Sequence, residues 1–174
     1  MRRARLRRGL VGLVALVALA GAALAAGCQD VGGTVPLGTR DPAVYAREVH
    51  AVIEARCGTL DCHGDSRRPL RIYAETGLRL RDELRGQPLT AEELGDNLRA
   101  IEAVDPGAAA EEHLLVRKPL AVAAGGQKHL GGELWATRTA AAPTCLVAFL
   151  SGRDDAAMAE ACAAARAEVS LPPP

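Results

Sequence analysis

The sequence predicts a mainly α fold: a small helical domain with a short hairpin or extended segment and long loops. Three observations carry this. Apolar residues recur at helical spacing in two stretches, Tyr45, Val49, Val52 and Ile53, then Leu94, Leu98, Ile101 and Val104. Both stretches open on capping signals, Asp41-Pro42 in the first and Thr90 with Glu93 in the second. Strand-like alternation is confined to Leu70 with Ile72 and Leu78 with Leu80, on either side of a turn-like Ala74-Glu75-Thr76-Gly77.

In chain order, residues 1–27 read as a leader. Arg2, Arg3, Arg5, Arg7 and Arg8 precede an apolar run from Leu10 to Ala26, with no acidic residue. A basic start, a short apolar core and small residues before a cleavage point make a secretory signal peptide. The run of 17 residues is short for a membrane span, which takes roughly 20. Leu24-Ala25-Ala26-Gly27-Cys28 resembles a bacterial lipobox, which implies cleavage before Cys28 and lipid on its thiol. The expected location is therefore the cell envelope, facing the periplasm and lipid-anchored to the inner or outer membrane. Residues 28–41 read as a flexible tether.

A domain over 42–152 follows, then a C-terminal helix and Pro-rich tail over 153–174. The first helix runs from Ala43 to about Arg56 and leads directly into Cys57. Arg67 to Arg85 holds the alternating segments and six arginines, most of them expected on a solvated surface. Thr90 to Val104 is the second helix, and Glu111 to Arg117 a short third. A Gly-rich loop spans Ala124 to Gly132. Ala140 to Leu150 and Asp154 to Glu168 are the last two helices.

Charge and motifs narrow the function. The whole chain balances 21 basic against 21 acidic residues; without the leader it has 16 and 21, a formal charge of −5. That argues against nucleic acid as a partner, since phosphate binding wants a basic face. The Gly-rich loop has no Walker or dinucleotide pattern. No Ser-His-Asp order or paired-carboxylate signal stands out, so the expectation is a protein that is not an enzyme.

The chemistry concentrates in Cys57-Gly58-Thr59-Leu60-Asp61-Cys62-His63-Gly64. Two nearby cysteines with a histidine after the second is the pattern of covalent haem attachment. Cys57 and Cys62 would form the thioether bonds and His63 would be the proximal iron ligand. The usual gap between the cysteines is two residues, and here it is four. The aromatic content is only 2%, so the core is thin, and a buried haem c would supply the missing apolar bulk.

Two other readings compete. A Cys57–Cys62 disulfide would make a haem-free structural or interaction lipoprotein. A zinc site would need Cys57, Cys62, His63 and another histidine, although adjacent Cys62 and His63 are poor ligands for one tetrahedral ion. An exported chain seldom keeps free thiols. With Cys28 given to lipid and Cys57 and Cys62 to haem, Cys145 and Cys162 remain as a disulfide across the last helical pair. It would close a loop of about 17 residues and contribute roughly 3 kcal/mol. Pairings of Cys57 or Cys62 with Cys145 or Cys162 stay open at this point.

With these segments in place, the chain resembles exported bacterial cytochrome c-like proteins over about residues 44–152. The matching pieces are Glu48 to Cys57, His63-Gly64, the Leu114-Leu115-Val116-Arg117-Lys118-Pro119-Leu120 segment, the loop around His129, and the helix before Gly152. The resemblance implies a lipid-anchored monohaem c-type cytochrome that transfers single electrons to and from other redox proteins.

Such a haem takes a second axial ligand, Met or His. Met158 lies in the final helix, far along the chain from the motif. His50 and His113 are expected at the surface. His129 sits in the Gly-rich loop, where a backbone without Cβ atoms can approach a flat cofactor, and is the candidate distal ligand.

Overall fold

The structure, a computed structural model, describes residues 40–170. The leader, Cys28 and nearly all of the tether lie outside the described residues.

Helix α1 is one continuous run in three parts: Pro42–Val44, a π-helical Tyr45–Val49, and His50–Cys57. The Asp41 carboxylate caps it by accepting from the Ala43 N–H at 2.8 Å. The π-helical part widens the turn, and Tyr45, Glu48 and Val49 are buried there. The widened turn is met from the far end of the chain: Arg166 Nη1 donates to the Glu48 carbonyl at 2.8 Å and to its carboxylate at 2.7 Å.

Helix α2, Ala91–Ala103, opens on the expected capping box. The Thr90 hydroxyl accepts from the Glu93 N–H, and the Glu93 carboxylate accepts from the Thr90 N–H. Helix α3, Leu114–Arg117, starts three residues later than the sequence suggests, because His113 caps it. Its Nδ1 accepts from the Leu115 N–H at 3.1 Å. Helices α4, Ala141–Leu150, and α5, Ala156–Ser170, form the closing pair. The Cys145–Cys162 disulfide joins them, with both residues fully buried.

The core lies between α1, α4 and α5. Tyr45, Ile53, Leu146, Phe149 and Met158 are among its largest side chains, and the Tyr45 and Phe149 rings are 5.9 Å apart. The final helix belongs to this core through Met158, Cys162 and Ala165. Among the described residues no helix is long and apolar enough to cross a membrane.

The stretch from Arg67 to Arg85 is mostly turns and bends, with one 3-10 turn at Asp82–Leu84, and forms no hairpin. Among the described residues β pairing is limited to two isolated bridges, Tyr73 with Leu78 and Leu120 with Trp135. Helix side chains take the place of a ladder. Asn97 accepts from the Tyr73 N–H at 2.7 Å and donates to its carbonyl at 2.9 Å. Glu54 accepts from the Glu75 N–H at 2.6 Å, and Glu93 from the Leu80 N–H at 3.0 Å. With its amides used in this way, the segment has no need of a partner strand.

One arginine of this stretch departs from the solvated expectation. Arg79 is fully buried and pairs with the equally buried Glu93 at 2.8 Å, while also donating to the carbonyls of Leu84, Gln87 and Pro88. The Arg79 guanidinium holds the Glu93 carboxyl down at about 2.

Candidate functional site

The loop after α1 solves a spacing problem. Four residues separate Cys57 from Cys62, yet the two ends are drawn back together. The Cys57 carbonyl accepts from the His63 N–H at 2.8 Å, and the Thr59 carbonyl accepts from Cys62 and Gly64, both at 2.9 Å. Thr59, Leu60 and Asp61 are thereby pushed into solvent. Gly64 makes the closure possible: a Cβ there would sit 2.0 Å from the Gly58 carbonyl oxygen. The extra length is an outward bulge, and Cys57, Cys62 and His63 face the same cavity.

That cavity, of about 240 Å³, has an apolar wall from Pro69, Leu70, Val104, Leu114, Leu115 and Leu134. A second cavity of about 330 Å³ adjoins it and shares Cys62, His63, Pro69, Lys118, His129 and Gly131. Together they make one cleft of the size that takes an organic ligand. The loop bearing His129 lies across it from the cysteine motif.

His63 is fixed in orientation. Its Nδ1 lies 3.1 Å from the Leu70 carbonyl, which the neutral ring satisfies by donating Nδ1–H. That leaves Nε2 as the lone-pair nitrogen, the arrangement in which a ligating histidine is oriented by a backbone carbonyl. Burial pushes the His63 imidazole below its ordinary pKa, which favours this neutral form.

His129 faces it. The two imidazole rings are nearly parallel, 10° apart in plane, with centroids separated by 6.0 Å. The two rings are thus stacked, plane beside plane. Nδ1 of His129 is buried without a hydrogen-bond partner. Gly131 packs close to the ring, where a Cβ would come within 2.8 Å of Cε1.

Cys57 is buried and Cys62 half-buried, and both are free thiols, unbonded to each other or to Cys145 and Cys162. Burial, with the neighbouring Cys62 second, pushes the Cys57 thiol up to about 12, so it is held protonated. Among the described residues no group of three or more His, Cys, Asp or Glu side chains is placed to hold one metal ion. A four-ligand zinc site therefore has no ligand set there.

The other histidines differ from expectation. His113 is buried at the start of α3, where its ring replaces a cap side chain. His50 is half-buried, and its Nδ1 has no partner. Neither lines the cleft. Met158 is buried in the core of α5 and is likewise absent from the cleft lining. The Leu70 carbonyl was invisible to sequence reading; the only available signal was Pro69, which ends the loop before it.

No family model, curated protein or solved structure matches this chain.

Proposed function

We propose that the chain is a lipid-anchored, periplasm-facing monohaem c-type cytochrome that passes single electrons between redox partners. The observation that carries the reading is the convergence on one apolar cleft of two free cysteine thiols, an oriented histidine and an opposing histidine 6.0 Å away. In this reading Cys57 and Cys62 would hold the haem covalently, and His63 and His129 would be its iron ligands. The residues present fit such a group. The cleft wall is apolar, His63 has its Nδ1 engaged on Leu70, and His129 brings a buried nitrogen that no protein group satisfies.

When bound, haem supplies one-electron iron redox chemistry. The chain's own contributions are distinct. The Leu70 carbonyl fixes the His63 tautomer and keeps its second nitrogen free to ligate. Leu70, Val104, Leu114, Leu115 and Leu134 give the cleft an apolar wall, which would favour the less charged state of a redox centre held there. Cys57 and Cys62 would tie the group to the end of α1 and to the closed loop that follows it. Lipid on Cys28 would keep the domain at the membrane surface.

The test is expression of the full chain in a periplasm equipped for c-type haem attachment. Haem staining that survives a denaturing gel, with a Soret band in the native protein, is expected. A colourless protein with no stain would overturn the reading and leave the haem-free lipoprotein.

A further inference from the structure

Helix α3 is a single turn, too short to hold itself in place. Its first two N–H groups are accepted by side chains outside it. The Leu114 N–H donates to the Asp105 carboxylate at 3.1 Å, and the Leu115 N–H donates to Nδ1 of His113 at 3.1 Å. Asp105 directly follows Val104, which caps the C-terminal end of α2. Val104, Leu114 and Leu115 all belong to the apolar wall of the cleft. One carboxylate and one imidazole thus fix the part of the wall carried by α3 to the part carried by α2.

We propose that Asp105 and His113 are positioning residues for the cleft, and that uptake of one proton by His113 frees α3 and opens the apolar wall. The device belongs to the wall and is the same whatever occupies the cleft. Only a ring unprotonated at Nδ1 can accept from Leu115. A proton arriving from solvent at that nitrogen sets donor against donor, and the hydrogen bond is lost. The imidazolium then has Asp105 as its anion, and turning toward it draws the carboxylate from the Leu114 N–H. Both amides of the short helix lose their acceptors in one step.

The charges around His113 set the direction. Asp105 favours the protonated ring and Arg40 opposes it. Arg40 itself lies 3.6 Å from Glu102 of α2 and donates to the Leu150 carbonyl. Next to His113 in the chain, Glu112 is paired with Arg117 and Arg138. Helix α4, which packs on α3, carries no charged side chain. The ring is only 2% exposed, and burial holds it below its ordinary pKa. The wall is therefore closed at neutral pH and opens in acid.

The experiment is amide hydrogen exchange by NMR on the full chain between about pH 8 and about pH 4, each rate being divided by that of an unstructured peptide at the same pH. Protection at Leu114 and Leu115 should fall roughly tenfold or more toward acid, while the buried Val49, Val52 and Ile53 of α1 keep theirs. His113→Asn keeps a cap acceptor that does not titrate, so its protection should stay level with pH. Asp105→Asn keeps an acceptor for Leu114 and removes the charge that favours the imidazolium, so the loss should move to lower pH. Three results would overturn the proposal. One is undiminished protection at both leucines down to about pH 4; another is a parallel loss in wild type and His113→Asn. The third is a loss shared equally by α1, which makes the change global unfolding. Because protein amides are read, the outcome is decided separately from the haem stain.

Discussion

Gly64 is the residue on which the wide cysteine spacing depends. Its missing Cβ lets the chain cross the Gly58 carbonyl closely enough for the Cys57–His63 hydrogen bond to close the bulge. Gly64→Ala would force backbone against backbone, with no flexible side chain to give way. Overpacking of this kind costs about 1–3 kcal/mol and sometimes more. The expected outcome is a thermal midpoint lowered by several degrees, read by circular dichroism, together with weaker staining for the proposed haem. A variant that melts and stains like the wild type would show that the bulge can close another way. Single residues were unevenly legible in the sequence. Cys57, Cys62 and His63 announce themselves by adjacency, and His129 by its glycine neighbours. Arg79 did not: its partner Glu93 lies 14 positions away, and the capping box already gave that carboxylate a role. His113 was hidden too, because nothing in Glu111-Glu112-His113 separates a buried cap from a solvated ring.

At the scale of elements, the helices were readable because caps and apolar spacing agree, as at Thr90 with Glu93. The π-helical turn at Tyr45–Val49 was not, since its long-range partner is Arg166 on α5. The apparent hairpin failed for a related reason: Asn97, Glu54 and Glu93 take the amides a strand would have paired. Helix α3 gives a testable consequence. It carries Leu114 and Leu115 into the cleft wall and begins on neutral His113, whose Nδ1 must remain unprotonated to accept from Leu115. Burial lowers the His113 pKa, with Asp105 opposing and Arg40 adding to the shift. The folded state therefore binds fewer protons than the unfolded one. The stability from this group is complete above the unfolded value of about 6.5 and is lost as pH falls through the lower folded value. Thermal midpoints of the haem-free protein between pH 8 and pH 5 should fall with acidification. His113→Asn keeps a cap and removes the titration, so its curve should be shallower. His50 and His63, also lowered by burial, keep it from being flat. His113→Ala should cost about 1 kcal/mol at pH 8, the usual loss for a missing cap. Parallel pH curves for wild type and His113→Asn would refute the assignment.

For the whole molecule, the question is what holds together a domain with so little aromatic bulk. The 2% aromatic content leaves Tyr45, Trp135 and Phe149 as the buried rings. The Cys145–Cys162 bond joins α4 to α5, and α5 in turn presents Arg166 to the π-helical turn of α1, the helix that ends at Cys57. A staple at one end of the chain thus supports the helix that carries the site. By the chain-entropy account, closing 17 residues contributes roughly 3 kcal/mol, mostly by restricting the unfolded chain. Cys145→Ala with Cys162→Ala should lower the urea midpoint by that amount divided by the slope, which is about 1–3 M at the usual 1–3 kcal/mol per molar. A haem that is covalently attached stays on the unfolded chain as well, so the loss should be of similar size in haem-loaded and haem-free protein. If the midpoint does not move, packing of α4 on α5 suffices and the bond is incidental. If only the haem-free form suffers, the cofactor and the disulfide support the same packing of α1, and the two are coupled through Arg166 rather than independent.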